Sequence, residues 1–322
     1  MNTNTSDTPL FTAFFSLILG LSTLFLTACA TTNTNTGNSD KAYRVLLTSD
    51  IHYTDQIQFY HANNAERIQA WVDTVKAEHA AEPFDLILIL GDVSLDYWIN
   101  GGAVLKTKHS DVTTFVRDYV SQLPADVPHF IVPGNHEQYG PEQWKAITGN
   151  GRFGTVTLGN NTFIMLDSFS QDLAPDHDHD GKYAPLDVAY IQQQIDAAPD
   201  NNIFLCAHYV DIAKESPEFK ELLAKNPNII TIFQGHTHRC SVIQLDETCG
   251  NKTICQTGNF SYNNESDKPA NFWGLRELVI TPKNITTRYI IPKNTVDNNG
   301  KPIYVPATIT NEKSFLPAAA NR

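Results

Sequence analysis

From about residue 43 the chain alternates short apolar runs with longer amphipathic stretches. Residues 44–48 have β character and lead to Asp50, residues 65–79 space their apolar positions as a helix does, and residues 85–90 form a continuous apolar run that Gly91 ends. Such a run is expected of a strand covered on both faces, so the beginning reads as a βαβ unit. A helix at 111–123 and a strand at 129–132 continue the alternation, and Pro133-Gly134 then turns the chain. Residues 153–158 and 162–166 flank Gly159-Asn160-Asn161, a hairpin signal that introduces antiparallel strands. A polar insert at 167–185 precedes a helix at 186–197, a strand at 203–207, a helix at 217–224 and a strand at 229–233. After His238 the pattern is all strand and turn, at 241–245, 253–257, 272–281 and 286–291. Mixed αβ units followed by hairpins predict two packed sheets with helices outside. From residue 295 onward Asn, Gly, Pro and Ala dominate, so a surface strand and then an unstructured tail are expected.

The 322 residues, 41% of them hydrophobic, can bury a sizeable core. Lys+Arg of 23 against Asp+Glu of 35 gives a net charge of -12, which repels nucleic-acid phosphates and disfavours bulk DNA or RNA binding. The first thirty residues differ from the rest: an apolar stretch over 10–28 ends in Leu26-Thr27-Ala28-Cys29, a signal-peptide pattern. It resembles a bacterial lipobox, in which cleavage leaves Cys29 as a lipid-modified N-terminus; an ordinary secretory signal or a membrane anchor is the alternative. Asp7, with no Lys or Arg before Leu10, departs from the usual basic start, and Ala30 after the cysteine suggests the outer membrane, periplasmic face. The expected plan is a signal peptide at 1–28, a lipidated cysteine and flexible tether at 29–42, a folded domain at 43–294 and a partly disordered extension at 295–322. Four further cysteines would lie in an oxidising compartment. A Cys249–Cys255 disulfide across the turn Cys249-Gly250-Asn251-Lys252 is the preferred pairing, while Cys206 is either a buried free thiol or bonded to Cys240.

The chemistry gathers where strands end. Asp50 and His52, Asp92, Asn135 and His136, His208, and His236 with His238 each follow a short apolar run, and they include five of the eleven histidines. Loops at the carboxyl ends of strands carry side chains over the edge of an α/β sheet. Mixed imidazole and carboxylate donors suit Zn, Fe or Mn better than Ca or Mg.

Taken in order, Asp50-Ile51-His52, Gly91-Asp92, Gly134-Asn135-His136-Glu137, His208 and Gly235-His236-Thr237-His238 resemble the motifs of the calcineurin-like metallophosphoesterase superfamily, over roughly residues 43–291. That resemblance implies a four-layer αββα sandwich of two mixed sheets, an α/β (α+β) fold, with two divalent or transition metal ions (Mn, Fe or Zn). By position, Asp50, His52 and His238 would hold one ion, Asn135, His208 and His236 the other, and Asp92 would bridge. It also implies hydrolysis of small phosphomonoesters or phosphodiesters by a metal-bound hydroxide, with His136 as general acid or as a stabiliser of the phosphoryl oxygens. A nucleotide or cyclic-nucleotide phosphodiesterase or nucleotidase is the alternative within enzymes, and a catalytically silent metal- or partner-binding lipoprotein the alternative outside them. Two departures stand out: Ala207 occupies the place of the glycine that often precedes the lone histidine, and Asp96 lies one residue later than the acid or serine many members carry. Asp96 is a candidate to orient His136. Tyr53, Tyr97, Trp98 and Tyr139 follow motif loops and either wall a substrate pocket or pack in the core. Asp176-His177-Asp178-His179-Asp180 is read as a solvated loop, with a pocket entrance or metal capture as alternatives, and Arg239 either meets a phosphate or lies on the surface.

Overall fold

The computed structural model describes residues 41–55, 58–59, 62–96, 99–100, 103–104, 111–171, 173, 180–261, 273–292 and 310–318. The expected signal segment with Cys29, Tyr97, Trp98, the segment 174–179 and most of the tail lie outside the described residues.

The first part of the chain forms β1 (Tyr43–Thr48), α1 (Asn64–Ala81), β2 (Leu86–Leu90), α2 (Asp111–Asp118), β3 (His129–Val132) and α3 (Pro141–Thr148). It continues with β4 (Gly154–Leu158), β5 (Asn161–Leu166), α4 (Val188–Ala197), β6 (Asn202–Ala207), α5 (Pro217–Lys225) and β7 (Ile229–Gln234). Then come β8 (Val242–Gln244), β9 (Thr253–Gln256), β10 (Leu275–Ile280), β11 (Ile285–Ile290) and β12 (Lys313–Phe315). The strands make two six-stranded mixed sheets, ordered β12-β11-β10-β1-β2-β3 and β8-β9-β7-β6-β5-β4. In the first, β1, β2 and β3 run parallel and β10 joins β1 antiparallel. In the second, β5, β6, β7 and β9 run parallel, with β4 and β8 antiparallel at the edges.

Period-two alternation sorts each strand's side chains into two layers. Val45, Leu47, Leu86, Leu88 and Leu90 meet Phe163, Met165, Phe204 and Phe233 between the sheets. Leu46, Ile87 and Ile89 face the other way, onto Ile68, Trp71, Val72 and Val75 of α1 and Phe115 of α2. On the second sheet Ile164, Ile203, Leu205 and Ile232 pack against Ile191 and Ile195 of α4 and Phe219, Leu222 and Leu223 of α5. The central strands are therefore buried on both faces, which is why β2 and β6 read as unbroken apolar runs. The result is the expected αββα sandwich.

Caps set the helix starts: Asn63, Asp187 and Ser216 each accept from the backbone N–H three residues on, at 3.2, 3.0 and 3.2 Å. The helix predicted over 111–123 ends at Asp118 and closes as a 3-10 turn at Val120–Gln122. Pro124 forces Leu123 into an extended conformation, which stops the helix there. Helix α3 was not expected; Pro141 at its first turn and Gly149 in the left-handed region at its end were the available signals.

The expected Cys249–Cys255 disulfide is overturned: Cys206, Cys240, Cys249 and Cys255 are all buried free thiols. The segment between the two is not a plain hairpin turn. Glu247–Cys249 forms a short 3-10 helix, which sets Cys249 in the layer of α5, whereas Cys255 points from β9 into the layer between the sheets. The strand expected in the tail is β12, paired with β11. No helix among the described residues is long and apolar enough to cross a membrane.

Candidate metal centre

Five parallel strands end at one rim: β1 delivers Asp50 and His52, β2 delivers Asp92, β3 delivers Asn135 and His136, β6 delivers His208, and β7 delivers His236 and His238. The loops are tied to one another by main-chain hydrogen bonds. Asp50 N donates to Gly91 O (3.0 Å), His52 N to Asp92 O (3.0 Å) and Gly235 N to His208 O (2.9 Å). Turning so sharply at the rim strains the backbone. Among the described residues six non-glycines have positive φ, and five of them are Asp50 (52°), His52 (52°), Asp92 (49°), His236 (64°) and His238 (58°). Side chains rarely adopt that region, and such strain concentrates at functional sites.

The side chains form three overlapping groups: Asp50, His52 and His238; Asp92, His208 and His236; and, between them, His52, Asp92 and His136. Asp50, His52 and His238 can each offer a ligand atom such that these atoms lie within 4.8 Å of one another, and so can Asp92, His208 and His236. In the first group His238 Nε2 and His52 Nε2 stand 3.2 and 3.8 Å from Asp50 Oδ1. In the second, Asn135 Oδ1 lies 2.9 Å from His236 Nδ1 and 3.2 Å from His208 Nε2. Asp92 Oδ2 is 3.2 Å from His208 Nε2 and 3.5 Å from His52 Nε2, so one carboxylate oxygen looks into both groups. His236 and His238 thus fall in separate groups, and Asn135 lies beside the second. His136 sits beside the junction, with Nε2 3.5 Å from Asp92 Oδ2.

Each donor is held from behind. His208 Nδ1 bonds Leu90 O at 2.8 Å, which leaves Nε2 for the centre. Asp50 Oδ2 accepts from Ser49 Oγ (2.6 Å) and His236 N (2.9 Å), while its buried Oδ1 makes no aligned hydrogen bond and faces the imidazoles. Glu137 is fully buried and accepts from Gly134 N (2.8 Å), Asp92 N (2.9 Å), Ser94 N (3.0 Å) and Ser94 Oγ (3.1 Å), joining the loops after β2 and β3. Arg67 holds the loop of His52 through its carbonyl (3.0 Å) and reaches Phe260 O (2.7 Å). Arg152 ties the carbonyls of Glu137 (2.9 Å) and Tyr139 (2.7 Å) to the Asp167 carboxylate (2.6 Å).

The buried acids and imidazoles of the centre shift one another's protonation. Burial alone would raise the Asp92 carboxyl, but the charges of His136 and His208 outweigh it and hold Asp92 well below the usual range. Burial likewise opposes protonation of His208 and His136, yet Asp92, with Asp180 for His136, raises both to about 9. His52 and His236, where burial dominates, fall to about 3 and about 4, the neutral form in which imidazole binds metal. Two buried carboxylates set among imidazoles and an amide oxygen, one carboxylate oxygen left without an aligned hydrogen bond, are a donor set that fits transition metal ions.

Other expected residues are placed differently. Asp96 Oδ1 accepts from Asp111 N (2.7 Å) and Oδ2 from Val112 N (3.3 Å) and the Tyr139 hydroxyl, so its carboxylate caps α2 across fifteen residues of sequence. The carboxylate whose oxygen stands 3.4 Å from His136 Nδ1 is Asp180, at the end of the insert read as a solvated loop. Tyr53 and Tyr139 are core residues, Tyr53 packing on Phe115 and Tyr119. Arg239 is exposed. The aromatic surface of the centre comes instead from Tyr209, whose ring centroid is 4.4 Å from that of His236, and from Phe169 at 5.8 Å from His208. Tyr209 directly follows the His208 ligand candidate, which was the signal available for it.

A family model described as calcineurin-like phosphoesterase matches residues 43–240. A structure of PhoD aligns with TM-score 0.52 at 12% identity, over 80% of this chain and 67% of that one. A conserved uncharacterised protein from Streptococcus pneumoniae, named a predicted phosphoesterase, aligns with TM-score 0.37 at 11% identity, over 86% of this chain and 98% of that one. GAP50, described as the anchor in the inner membrane complex of Plasmodium, aligns with TM-score 0.45 at 14% identity, over 82% and 87%. No curated protein matches the chain. At 12% identity the likeness to PhoD bears on the fold alone, whereas the family model spans most of the domain and every motif listed above; the chain belongs to the calcineurin-like phosphoesterases.

Proposed function

We propose that this chain is a metal-dependent hydrolase of small phosphomonoesters or phosphodiesters. The observation that carries the reading is the overlapping set of Asp/His groups around Asp92, backed by loops that strain five of those residues into positive φ. Asp50, His52 and His238 would hold one divalent ion and Asn135, His208 and His236 a second, with Asp92 between the two sets. Bound there, Mn, Fe or Zn supplies Lewis acidity toward phosphoryl oxygens and acidifies water at neutral pH. His136, with Nε2 aimed at the centre, gives a proton to the leaving-group oxygen. Tyr209, half-buried beside His236, borders the substrate side. A net charge of -12 favours small esters over anionic polymers. The lipid tether at Cys29, on the periplasmic face of an outer membrane, belongs to this proposal as its cellular setting.

The test loads the protein with Mn, Fe or Zn, measures bound metal, and assays 4-nitrophenyl phosphate and bis(4-nitrophenyl) phosphate, with Asp92→Asn and His136→Ala beside it. Asp92→Asn should lose metal and activity; His136→Ala should keep metal and slow turnover by about 10²-fold or more. Two ions bound without cleavage of either ester would identify a binding protein instead. Nucleotides and cyclic nucleotides in the same assay separate the nucleotidase and phosphodiesterase readings, which use the same centre.

A further inference from the structure

The insert between β5 and α4 does not simply loop through solvent; its returning arm is docked on the loop after β3. Ala184 N donates to Ser168 O (2.8 Å) and closes the base of the insert. Gly181 N donates to Asn135 O (2.9 Å), an oxygen that also accepts from Gln138 Nε2 (2.6 Å). A Cβ at position 181 would meet the end of the Gln138 side chain, which would have to shift to admit it. The residue before it, Asp180, is thereby set against His136, with Oδ1 3.4 Å from Nδ1. Both atoms are shielded from solvent and neither makes another hydrogen bond, although the Asp180 side chain as a whole is 44% exposed. The opposite nitrogen of the ring, Nε2, faces Asp92.

We propose that Asp180 is the positioning residue for His136, supplied by the insert in place of the carboxylate at Asp96, which is committed to α2. Asp180 keeps the proton on Nδ1, so that the ring presents Nε2–H to the substrate. This rests on the phosphoesterase reading. As the bond between phosphorus and the leaving oxygen breaks, its electron pair stays on that oxygen, which takes the Nε2 proton. The ring is left as the neutral Nδ1–H tautomer, still bonded to Asp180. A new bond forms from phosphorus to the oxygen of water, and the proton that water loses restores Nε2–H. The imidazolium formed before each turnover is stabilised by the Asp180 charge.

Two measurements test it. In protein labelled with nitrogen-15 at histidine and free of metal, the His136 ring signals are identified by their loss in His136→Asn. Asp180→Asn should shift the His136 Nδ1 signal and leave the other histidines in place; an unmoved signal overturns the contact. In the metal-loaded enzyme, Asp180→Asn should lower kcat for phenyl phosphate, a poor leaving group, by about 10²-fold and for 4-nitrophenyl phosphate by only a few-fold, with KM nearly unchanged. Asp180→Glu should recover part of the loss, and Asp180→Asn added to His136→Asn should cost nothing further. Equal losses on both esters, or additive losses in the double variant, overturn the role. If the wild-type protein cleaves neither ester, the hydrolase reading falls, and the labelled-histidine spectra still decide whether Asp180 holds the ring.

Discussion

At the scale of single residues, the site depends on buried groups that touch no substrate. Glu137 takes four hydrogen bonds on one buried carboxylate, three of them from the backbone of the loops bearing Asp92 and Asn135. Glu137→Gln turns an amide N–H₂ toward some of those donors, and it should destabilise the fold by about 1–3 kcal/mol in urea denaturation. Asp111 shows the cost of burying a second acid beside Asp96. Burial first, and the Asp96 charge next, push its carboxyl up from 3.8 to about 7. The folded state therefore favours the protonated form: the stabilising contribution is complete below pH 3.8 and is lost as pH rises through 7. The urea midpoint should fall between about pH 4 and 7 on this account and level off above. Asp111→Asn should flatten that fall, and an unchanged slope would contradict the assignment.

At the scale of elements, the strand ends do most of the work. Gly91 closes β2 at φ 80°, where a Cβ would stand 2.6 Å from His208 Nδ1 and 2.8 Å from Gly134 N. Gly91→Ala should both strain the turn and push His208 aside, lowering the melting temperature and the metal content together. Full metal content in a stable variant would show that the turn does not set the centre. The elements were largely legible in the sequence because each central strand is dry on both faces and each ends in a motif, so apolar runs and loop chemistry coincided. What escaped was long-range. That Asp96 caps α2, and that Asp180 reaches His136, depends on how separate loops pack, which neither periodicity nor spacing encodes. Arg67 and Arg152, charged residues outside any motif, are buried because backbone carbonyls of the site loops need donors. The Cys249–Cys255 pairing failed for a related reason: proximity in sequence said nothing about which face of the second sheet each thiol would occupy.

At the scale of the molecule, two sheets converge so that their parallel strands end at one rim, and the inter-sheet core fixes the distance between them. Phe163 and Phe204 stack there with centroids 4.8 Å apart, and Cys206 and Cys255 share that layer as plain hydrophobic residues. With no disulfide among the described cysteines, reductant should leave the melting temperature unchanged; a marked fall would restore a bond to the fold. The central claim is that this convergence builds two metal positions around Asp92, with His236 and His238 serving different ions. Anomalous scattering from crystals of the Mn-loaded protein tests it most directly. Two peaks are predicted, one among Asp50, His52 and His238 and one among Asn135, His208 and His236, both beside the Asp92 carboxylate; a single peak holding both His236 and His238 would contradict the account.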